Sequence, residues 1–143
     1  PTDQRLRVVF NGIWQVGYGF QLSGLYFYGS GERTDRIYGV DFRDVGEAFE
    51  AFAQRVRPDG TIVPRAGFVG DPVHRVDIRL QQRVPIRGRV AIDGILELFN
   101  LFDRANFGSY DTDEASPRFG LANFSSNLAF APRTLQMGFR MTF

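Results

Sequence analysis

The sequence predicts an all-β fold of about five long antiparallel strands. Three observations lead to this prediction: apolar and polar residues alternate over long stretches, glycine-rich turns separate these stretches, and glycine (16 residues) and phenylalanine (15 residues) are abundant. Alternation with a period of two gives a strand two chemically different faces. Glycine suits tight turns and aromatic residues suit strands, so the composition favours strands over helices.

The alternation places the predicted strands in five segments. They cover residues 6–16, 20–30, 74–84, 89–101 and 133–143. A strand of roughly eleven residues extends about 36 Å, and at a tilt of about 45° it covers an apolar band of about 25 Å. Strands of this length with one uncharged face are typical of proteins that cross a bilayer as strands.

The links between these strands alternate in length. Short turns are expected at Gly17–Gly19 and around Ile86–Gly88, and long polar loops at 31–72 and 103–132. Outer-membrane barrels have short periplasmic turns and long outer loops. The pattern therefore predicts a segment of an antiparallel transmembrane β-barrel whose last strand ends on the periplasmic side. Inside the first loop, residues 44–56 predict a short helix with one apolar face.

The last predicted strand has the strictest alternation. We expect its apolar side chains to face lipid: Leu135, Met137, Phe139, Met141 and Phe143. An aromatic terminal residue after such alternation resembles the signal by which the barrel-assembly machinery recognises its clients. An ordinary amphipathic edge strand would show the same pattern, but an open apolar edge strand in a soluble protein is prone to aggregate.

Charged residues of the third and fourth strands lie on the opposite face, where we expect a hydrated lumen. They are Arg75, Asp77, Arg79, Asp93 and Glu97. If the hairpin closes around residue 86, Arg79 lies opposite Asp93 and Arg75 lies opposite Glu97. Cross-strand pairs of opposite charge contribute about 0.2–1 kcal/mol each. We expect a structural role for these charges rather than a role in transport.

Four aromatic residues lie near the ends of the first hairpin. Trp14 and Tyr18 flank its turn, and Tyr26 and Tyr28 lie towards its other end. This placement is typical of the aromatic girdles at the two membrane interfaces. Core packing in a soluble sandwich is the alternative explanation.

Composition and motifs argue against several other classes of function. The net charge is +1, so no basic surface points to nucleic acid. Cysteine is absent and His74 is the only histidine, so thiolate chemistry and a histidine-based metal site have no basis. Asp111, Asp113 and Glu114 lack the spacing of an EF-hand calcium loop. We therefore predict no catalytic residue, no cofactor and no metal site, and we do not expect an enzyme.

One segment resembles a known family. Glu97–Gly108, with the sequence ELFNLFDRANFG, resembles the penultimate-strand motif E-x-x-N-L-F-[DN] of TonB-dependent receptors. Residues 132–143 are similar to the final strand of that family, and residues 74–80 to the strand before the motif. The residues that match the motif or its extension are Glu97, Asn100, Leu101, Phe102, Asp103 and Asn106. Within the family, the chain looks closest to receptors of the Oar-like type, which carry a carboxypeptidase-regulatory-like domain.

This resemblance implies that residues 1–143 are the C-terminal part of a longer chain that forms a barrel of roughly twenty-two strands. It implies residence in the outer membrane of a Gram-negative bacterium and uptake of a bulky nutrient such as a metal chelate, a carbohydrate or a peptide. The expected partners are outer-membrane lipid and the barrel-assembly machinery. The plug and the TonB box would lie upstream, so TonB would be contacted only through those regions.

Two other interpretations remain open from the sequence. One is a soluble lipocalin-like or β-sandwich binding module, which would turn its apolar side inward and its charges outward. The other is a passive outer-membrane porin, which differs from the receptor only by the missing plug.

Overall fold

The structure is a computed structural model that describes residues 3–41, 44, 55–123 and 131–143. The chain divides into two compact units. The sheet unit comprises Arg7–Gly29, Val73–Asn106 and Phe130–Phe143; the loop unit comprises Pro1–Leu6, Ser30–Pro72 and Phe107–Ala129. The strands are β1 (Arg7–Gly17), β2 (Phe20–Gly29), β3 (Arg33–Thr34), β4 (Phe68–Val69), β5 (Val73–Arg87), β6 (Val90–Phe99) and β7 (Thr134–Thr142).

The sheet unit contains one antiparallel sheet of five strands in the order β1-β2-β5-β6-β7. Each of the five strands predicted from the sequence is present, and the prediction of an antiparallel all-β fold is confirmed. Within the described ranges the sheet is open and closes no barrel. No helix in those ranges is long and apolar enough to cross a membrane.

The turn between β1 and β2 lies where the sequence predicts it. Gly17, Tyr18 and Gly19 all have positive φ, at 103°, 50° and 79°. The backbone oxygen of Gly19 accepts a hydrogen bond of 2.8 Å from the N–H of Arg83. A Cβ at position 19 would lie 2.2 Å from the Arg83 oxygen, so only glycine permits this close approach of the turn to β5.

The hairpin between β5 and β6 turns later than the sequence predicts. Strand β5 continues to Arg87, the register is irregular after Pro85, and Gly88 takes the left-handed conformation at φ 58°. Arg79 therefore pairs with Glu97, and Asp93 pairs with Arg83. The predicted register is wrong. Moving the hairpin centre two residues along the chain changes the β6 partner of each residue from Ile78 to Pro85 by four.

That correction also removes the second predicted pair. Arg75 does not lie opposite Glu97; it pairs with Phe27 of β2. The displacement has a local physical cause. Proline has no N–H to donate to β6, and glycine enters the left-handed region without steric cost. Together these residues favour a turn at Gly88 and an irregularity after Pro85, instead of a turn at residue 86.

The loop unit has its own short sheet of β3 and β4. Phe68 of β4 packs against Tyr110 and Phe119, with ring centroids 5.3 and 6.2 Å apart. The predicted long loops 31–72 and 103–132 therefore supply most of a compact unit. The helix predicted for 44–56 lies almost entirely outside the described residues, since 45–54 are not described.

Few apolar residues are fully buried. In the described part of the chain, the buried apolar residues are Val63 in the loop unit and Val73 and Ala91 in the sheet unit. A soluble domain of this length normally builds a continuous apolar core. The sheet unit instead leaves large apolar side chains exposed on four of its five strands, all except β2.

Candidate functional site

The strand registers assign each side chain of the sheet to one of two faces, because residues directly opposite each other in antiparallel strands point the same way. Up to the irregularity after Pro85, one face, called the apolar face, carries no Asp, Glu, Lys or Arg among the paired strand residues. It comprises Val8, Phe10, Gly12 and Trp14 of β1, Phe20, Leu22, Gly24, Tyr26 and Tyr28 of β2, His74, Val76, Ile78, Leu80, Gln82 and Val84 of β5, Ile92, Gly94, Leu96 and Leu98 of β6, and Leu135, Met137, Phe139 and Met141 of β7.

This apolar face is open to its surroundings. Phe139 is 84% exposed, Met137 76% and Phe10 72%. Exposure extends to the middle of the sheet, where Leu80 and Leu96 are also exposed. Contiguous apolar surface of this kind is rare on soluble monomers and marks a surface that meets a partner or a membrane.

The opposite face, called the polar face, carries all the charged side chains of the paired strand residues up to the β5–β6 irregularity. Its charged members are Arg7, Arg75, Asp77, Arg79, Arg83, Asp93, Glu97 and Arg140. Gln21, Ser23, Gln81 and Gln136 lie among them, and so do apolar residues such as Ile13, Leu25 and Ile95. The five residues predicted to line a lumen therefore share one face.

Ion pairs on the polar face connect neighbouring strands. Arg140 of β7 donates from Nε (3.0 Å) and Nη2 (2.9 Å) to Oδ2 of Asp93, whose side chain is fully buried. Arg79 Nη1 lies 3.7 Å from Glu97 Oε1. Asp93 lies between Arg83 on β5 and Arg140 on β7, so it faces a cation on both sides.

Arg75 and Asp77 form a third pair within one strand. Arg75 Nε donates to Asp77 Oδ1 at 2.8 Å. The same carboxylate oxygen accepts the backbone N–H of Asn100 at 2.9 Å. All four residues of the two predicted pairs form ion pairs, but with other partners. Arg79 pairs with Glu97, Arg75 with Asp77, and Asp93 with Arg140.

A groove of about 340 Å³ lies on the polar face across β1, β2, β5 and β6. Asn11, Ser23, Asp77, Arg79 and Glu97 line it. These side chains offer hydrogen-bond donors, acceptors and both signs of charge. Ile13, Leu25 and Phe99 supply apolar surface to the same groove, and its lining residues present no arrangement of nucleophile and base.

The segment that resembles the receptor motif forms a tight turn after β6. Asn100 and Asp103 have positive φ, at 50° and 52°, which asparagine and aspartate tolerate better than most residues. Asn100 Nδ2 donates to the carbonyl oxygens of Arg104 (3.0 Å) and Ala131 (3.2 Å). Asp103 Oδ1 accepts the N–H of Arg133 at 2.9 Å. The turn is thereby fixed to the chain that leads into β7.

The other side of this turn is fixed to β5. The buried Asn106 accepts the His74 N–H on Oδ1 and donates from Nδ2 to the His74 carbonyl, both at 2.9 Å. The N–H of Leu101 donates to the Val76 carbonyl at 2.8 Å. Phe102 projects outward and is 74% exposed. Four residues of the segment thus tie the end of β6 to β5 and to the segment that leads into β7. Glu97 pairs with Arg79.

The four predicted interfacial aromatic residues lie near opposite ends of the β1–β2 hairpin. Trp14 and the fully exposed Tyr18 are near the turn, while Tyr26 and Tyr28 lie on the apolar face towards the other end. Trp14 and Val8, the partner of Tyr28, are six residues apart on β1, which is about 20 Å.

Sequence reasoning missed the role of His74. It lies on the apolar face, where Nδ1 is 2.9 Å from the Tyr26 hydroxyl and its ring is 4.9 Å from that of Tyr28. Its even spacing from Val76 and Ile78 was the available signal, since that spacing places it on their face. The sequence also did not indicate that Arg140 is the partner of Asp93.

In the loop unit, acidic residues bind protein donors. Glu114 accepts hydrogen bonds from Arg57 at 2.6 and 3.0 Å and lies 3.5 Å from Arg36. The Arg57 hydrogen bond lowers the pKa of Glu114 from its ordinary value, against the opposing effect of desolvation. Asp111 accepts from Ser116, which lowers the pKa of Asp111. In the described ranges, no three His, Cys, Asp or Glu residues form a group that could hold a metal ion.

Comparison of the chain with protein-family models, with curated proteins and with solved structures gives no match.

Proposed function

We propose that the chain forms part of the wall of a bacterial outer-membrane β-barrel, in a receptor of the TonB-dependent type that takes up a bulky nutrient. The observation that carries this proposal is the apolar face, which extends over all five strands and backs directly onto a charged face. Its large apolar side chains are exposed on four of the five strands. In the proposed barrel, the apolar face contacts acyl chains and the polar face lines a hydrated interior.

The energetics of transfer support this orientation. Apolar surface gains roughly 25 cal/mol per Å² when it leaves water, so a face with Phe10, Trp14 and Phe139 exposed is unfavourable in water and stable against lipid. The strand backbone can enter the bilayer because its N–H and C=O groups pair between strands. Arg79, Asp93 and Arg140 stay away from lipid on the other face.

The two edge strands require further strands. β1 pairs only with β2 and β7 only with β6 among the described strands, and an unpaired edge is not tolerated in lipid. Bacterial single-chain barrels have an even number of strands, from eight upwards. The proposed barrel therefore includes strands beyond these five. Its assembly partner would be the barrel-assembly machinery acting on β7, and TonB would be contacted through other regions.

The exposure of large apolar side chains disfavours the soluble alternative. A lipocalin-like barrel or β-sandwich encloses its apolar face between layers or inside a closed sheet. Here Met137 and Phe139 are more than three quarters exposed, and the only fully buried side chain of the five-stranded sheet is the charged Asp93. Between a receptor and a passive porin, the resemblance of residues 97–108 to the receptor motif supports the receptor.

The absence of cysteine allows a direct experiment. Single cysteines are introduced at two adjacent pairs on β7, Gln136 and Met137, then Phe139 and Arg140, in membranes that contain the protein. Cysteines at Met137 and Phe139 should react with a lipid-soluble maleimide and resist a water-soluble one. Those at Gln136 and Arg140 should show the opposite preference.

Labelling after unfolding in detergent is the control, because all four variants should then react equally with the water-soluble reagent. If Met137→Cys and Phe139→Cys react in membranes with the water-soluble maleimide as fast as their neighbours, the apolar face does not lie in lipid and the barrel proposal is wrong.

A further inference from the structure

The two hairpins that end in short turns are built alike. In the first strand of each hairpin one extra residue, Val16 or Ile86, interrupts the register just before the turn. Both extra residues are exposed. A β-bulge of this kind places two residues opposite one on the partner strand and can re-aim a side chain. The bulge at Ile86 therefore decides to which face the next residue, Arg87, belongs.

The bulge turns Arg87 away from the polar face. Side chains alternate along β5, so an unbroken strand would place Arg87 on the same face as Arg83, which lies opposite Asp93. With the extra residue, Arg87 instead pairs with Val90, two residues before Ile92 of the apolar face. Because opposite residues of antiparallel strands share a face, Arg87 projects from the side of the sheet that carries the apolar face.

Arg87 is an available cation. It is exposed, and so is Arg89 in the turn that follows. Among the described residues, no carboxylate lies within ion-pair distance of either arginine. The first acidic residue of β6, Asp93, is fully buried on the polar face, where it pairs with Arg140. The described part of the chain thus leaves the charge of this turn without a counterion.

Arg87 stands where the apolar face ends. Val84 and Ile92, which pair across β5 and β6, are exposed on that face just before the turn. Ile86 beside Arg87 is 59% exposed, and Tyr18 in the β1–β2 turn is 98% exposed. Arginine and tyrosine each have an apolar body and a polar tip, so they suit the boundary between acyl chains and lipid headgroups.

We propose that Arg87, with Arg89 beside it, binds the phosphate of anionic phospholipid headgroups at the periplasmic side of the membrane. The inference rests on the proposed function, which puts the short turns on that side and the apolar face in lipid. A guanidinium can donate two parallel hydrogen bonds to one phosphate. A lipid suits this position better than a soluble anion, because the exposed Val84 and Ile86 can contact the acyl chains of the same molecule.

The test compares Arg87→Gln with Arg83→Gln in the full-length protein purified in dodecyl maltoside. Arg83 is the matched control because it is an exposed arginine of the same strand that lies on the polar face. Native mass spectrometry measures binding of phosphatidylglycerol, with phosphatidylcholine as the zwitterionic comparison. We expect Arg87→Gln to weaken phosphatidylglycerol binding about fivefold, the contribution of one arginine near an anionic lipid surface. Arg83→Gln should change that affinity less than about twofold.

Moving the cation across the hairpin tests the assigned face. Adding Val90→Arg to Arg87→Gln places an arginine directly opposite, on the same face, and should restore most of the lost affinity. Arg87→Lys keeps the charge and should weaken binding less than Arg87→Gln. Equal effects of Arg87→Gln and Arg83→Gln would overturn the headgroup site. Displacement of phosphatidylglycerol by an equal concentration of glycerol phosphate would also overturn it, because the ligand would then be a free anion.

Cysteine labelling at Met137 and Phe139 separates this inference from the proposed function. If these positions are protected by lipid while Arg87→Gln leaves phosphatidylglycerol binding unchanged, the headgroup site is wrong and the membrane wall stands. If the positions react freely with water-soluble maleimide, both proposals are wrong.

Discussion

The two faces of the five-stranded sheet are built from the same strands but differ in whether their side chains find partners within the sheet. On the polar face, Asp93 is fully buried and paired with Arg140, and Arg79 is paired with Glu97, so most charges find partners within the sheet. On the apolar face, Phe139 and its neighbours contact little beyond adjacent strands and remain exposed. Most charged groups of the polar face thus have partners within the sheet. The side chains of the apolar face need surroundings that the described residues do not supply.

This difference shows that exposure alone does not define the water-facing side of a strand. In a soluble sheet, the exposed face carries the charges and the covered face is apolar. Here the arrangement is inverted on β6, since Asp93 is fully buried while Ile92 and Leu96 on the other face of the same strand are exposed. The comparison between the faces is therefore the most informative property of the fold.

The largest effect is expected from a charge placed on the apolar face. Leu96 and Ile95 are adjacent on β6 and belong to opposite faces. Leu96→Arg should destabilise the protein in lipid vesicles by about 2–4 kcal/mol, because a cation would enter the hydrocarbon region. Ile95→Arg should cost clearly less, since its neighbours across the strands are Gln81 and Gly138. Urea unfolding in vesicles measures both, and a larger cost for Ile95→Arg would reverse the assignment of the faces.

A smaller effect is expected at the turn that ties β6 to β5. Asn106→Ala leaves the backbone N–H and C=O of His74 without their side-chain partners, at a cost of about 1–3 kcal/mol. Asn11→Ala, at an exposed position on the polar face, should change stability by less than about 0.5 kcal/mol. The same unfolding measurement compares the two. Equal costs would show that the Asn106 hydrogen bonds do not hold the start of β5.

Period-two alternation made the strands and their faces predictable. Because successive side chains of a strand point to opposite faces, the sequence alone places Phe139 and Arg140 on opposite faces, without any knowledge of the neighbouring strands. The register of β5 against β6 was not predictable in this way. It depends on the left-handed Gly88 and the irregularity after Pro85, and a turn two residues away would preserve both faces and change every partner.

The connections between strands were less predictable than the strands. Asn100 and Asn106 were recognised only through resemblance to a motif, because their hydrogen bonds reach residues 74 and 131, distant in sequence. The even spacing of His74 from Val76 and Ile78 indicates its face, but its contact with the Tyr26 hydroxyl was not predictable, because a lone histidine carries no pattern that names a partner. The compact packing of Phe68 with Tyr110 and Phe119 joins two predicted loops that share no periodicity.

Charge reversal can confirm the corrected register of the polar face. Arg79→Glu places two acidic residues opposite each other and should cost about 0.2–1 kcal/mol. Adding Glu97→Arg should restore that stability, whereas adding Asp93→Arg should not. A double-mutant cycle by urea unfolding measures the coupling. If Asp93→Arg restored the stability of Arg79→Glu and Glu97→Arg did not, the register predicted from the sequence, in which the hairpin closes around residue 86, would be supported.

The smallest effect concerns the loop unit, which belongs to neither face. Because the Arg57 hydrogen bond lowers the pKa of Glu114 in the folded state, the pair stabilises the unit above the ordinary pKa of 4.5, and this contribution is lost as the pH falls through the lower folded value. Glu114→Gln should therefore lower the melting temperature by a few degrees at neutral pH and by nothing at strongly acidic pH. Glu32→Gln, at an exposed position of the same unit, is the control.

Limited proteolysis during a temperature ramp follows that transition. A difference between Glu114→Gln and the unaltered protein that grows as the pH is lowered would contradict the assigned ion pair.

Trp14 allows the most direct measurement of whether the apolar face contacts lipid. It is the only tryptophan of the chain, it lies on the apolar face, and it is 65% exposed, so its fluorescence reports the medium against that face. In vesicles with brominated acyl chains, we expect strong quenching of this emission and little quenching by acrylamide in the aqueous phase. Emission that acrylamide quenches and brominated lipid leaves unchanged would show that the apolar face does not contact lipid.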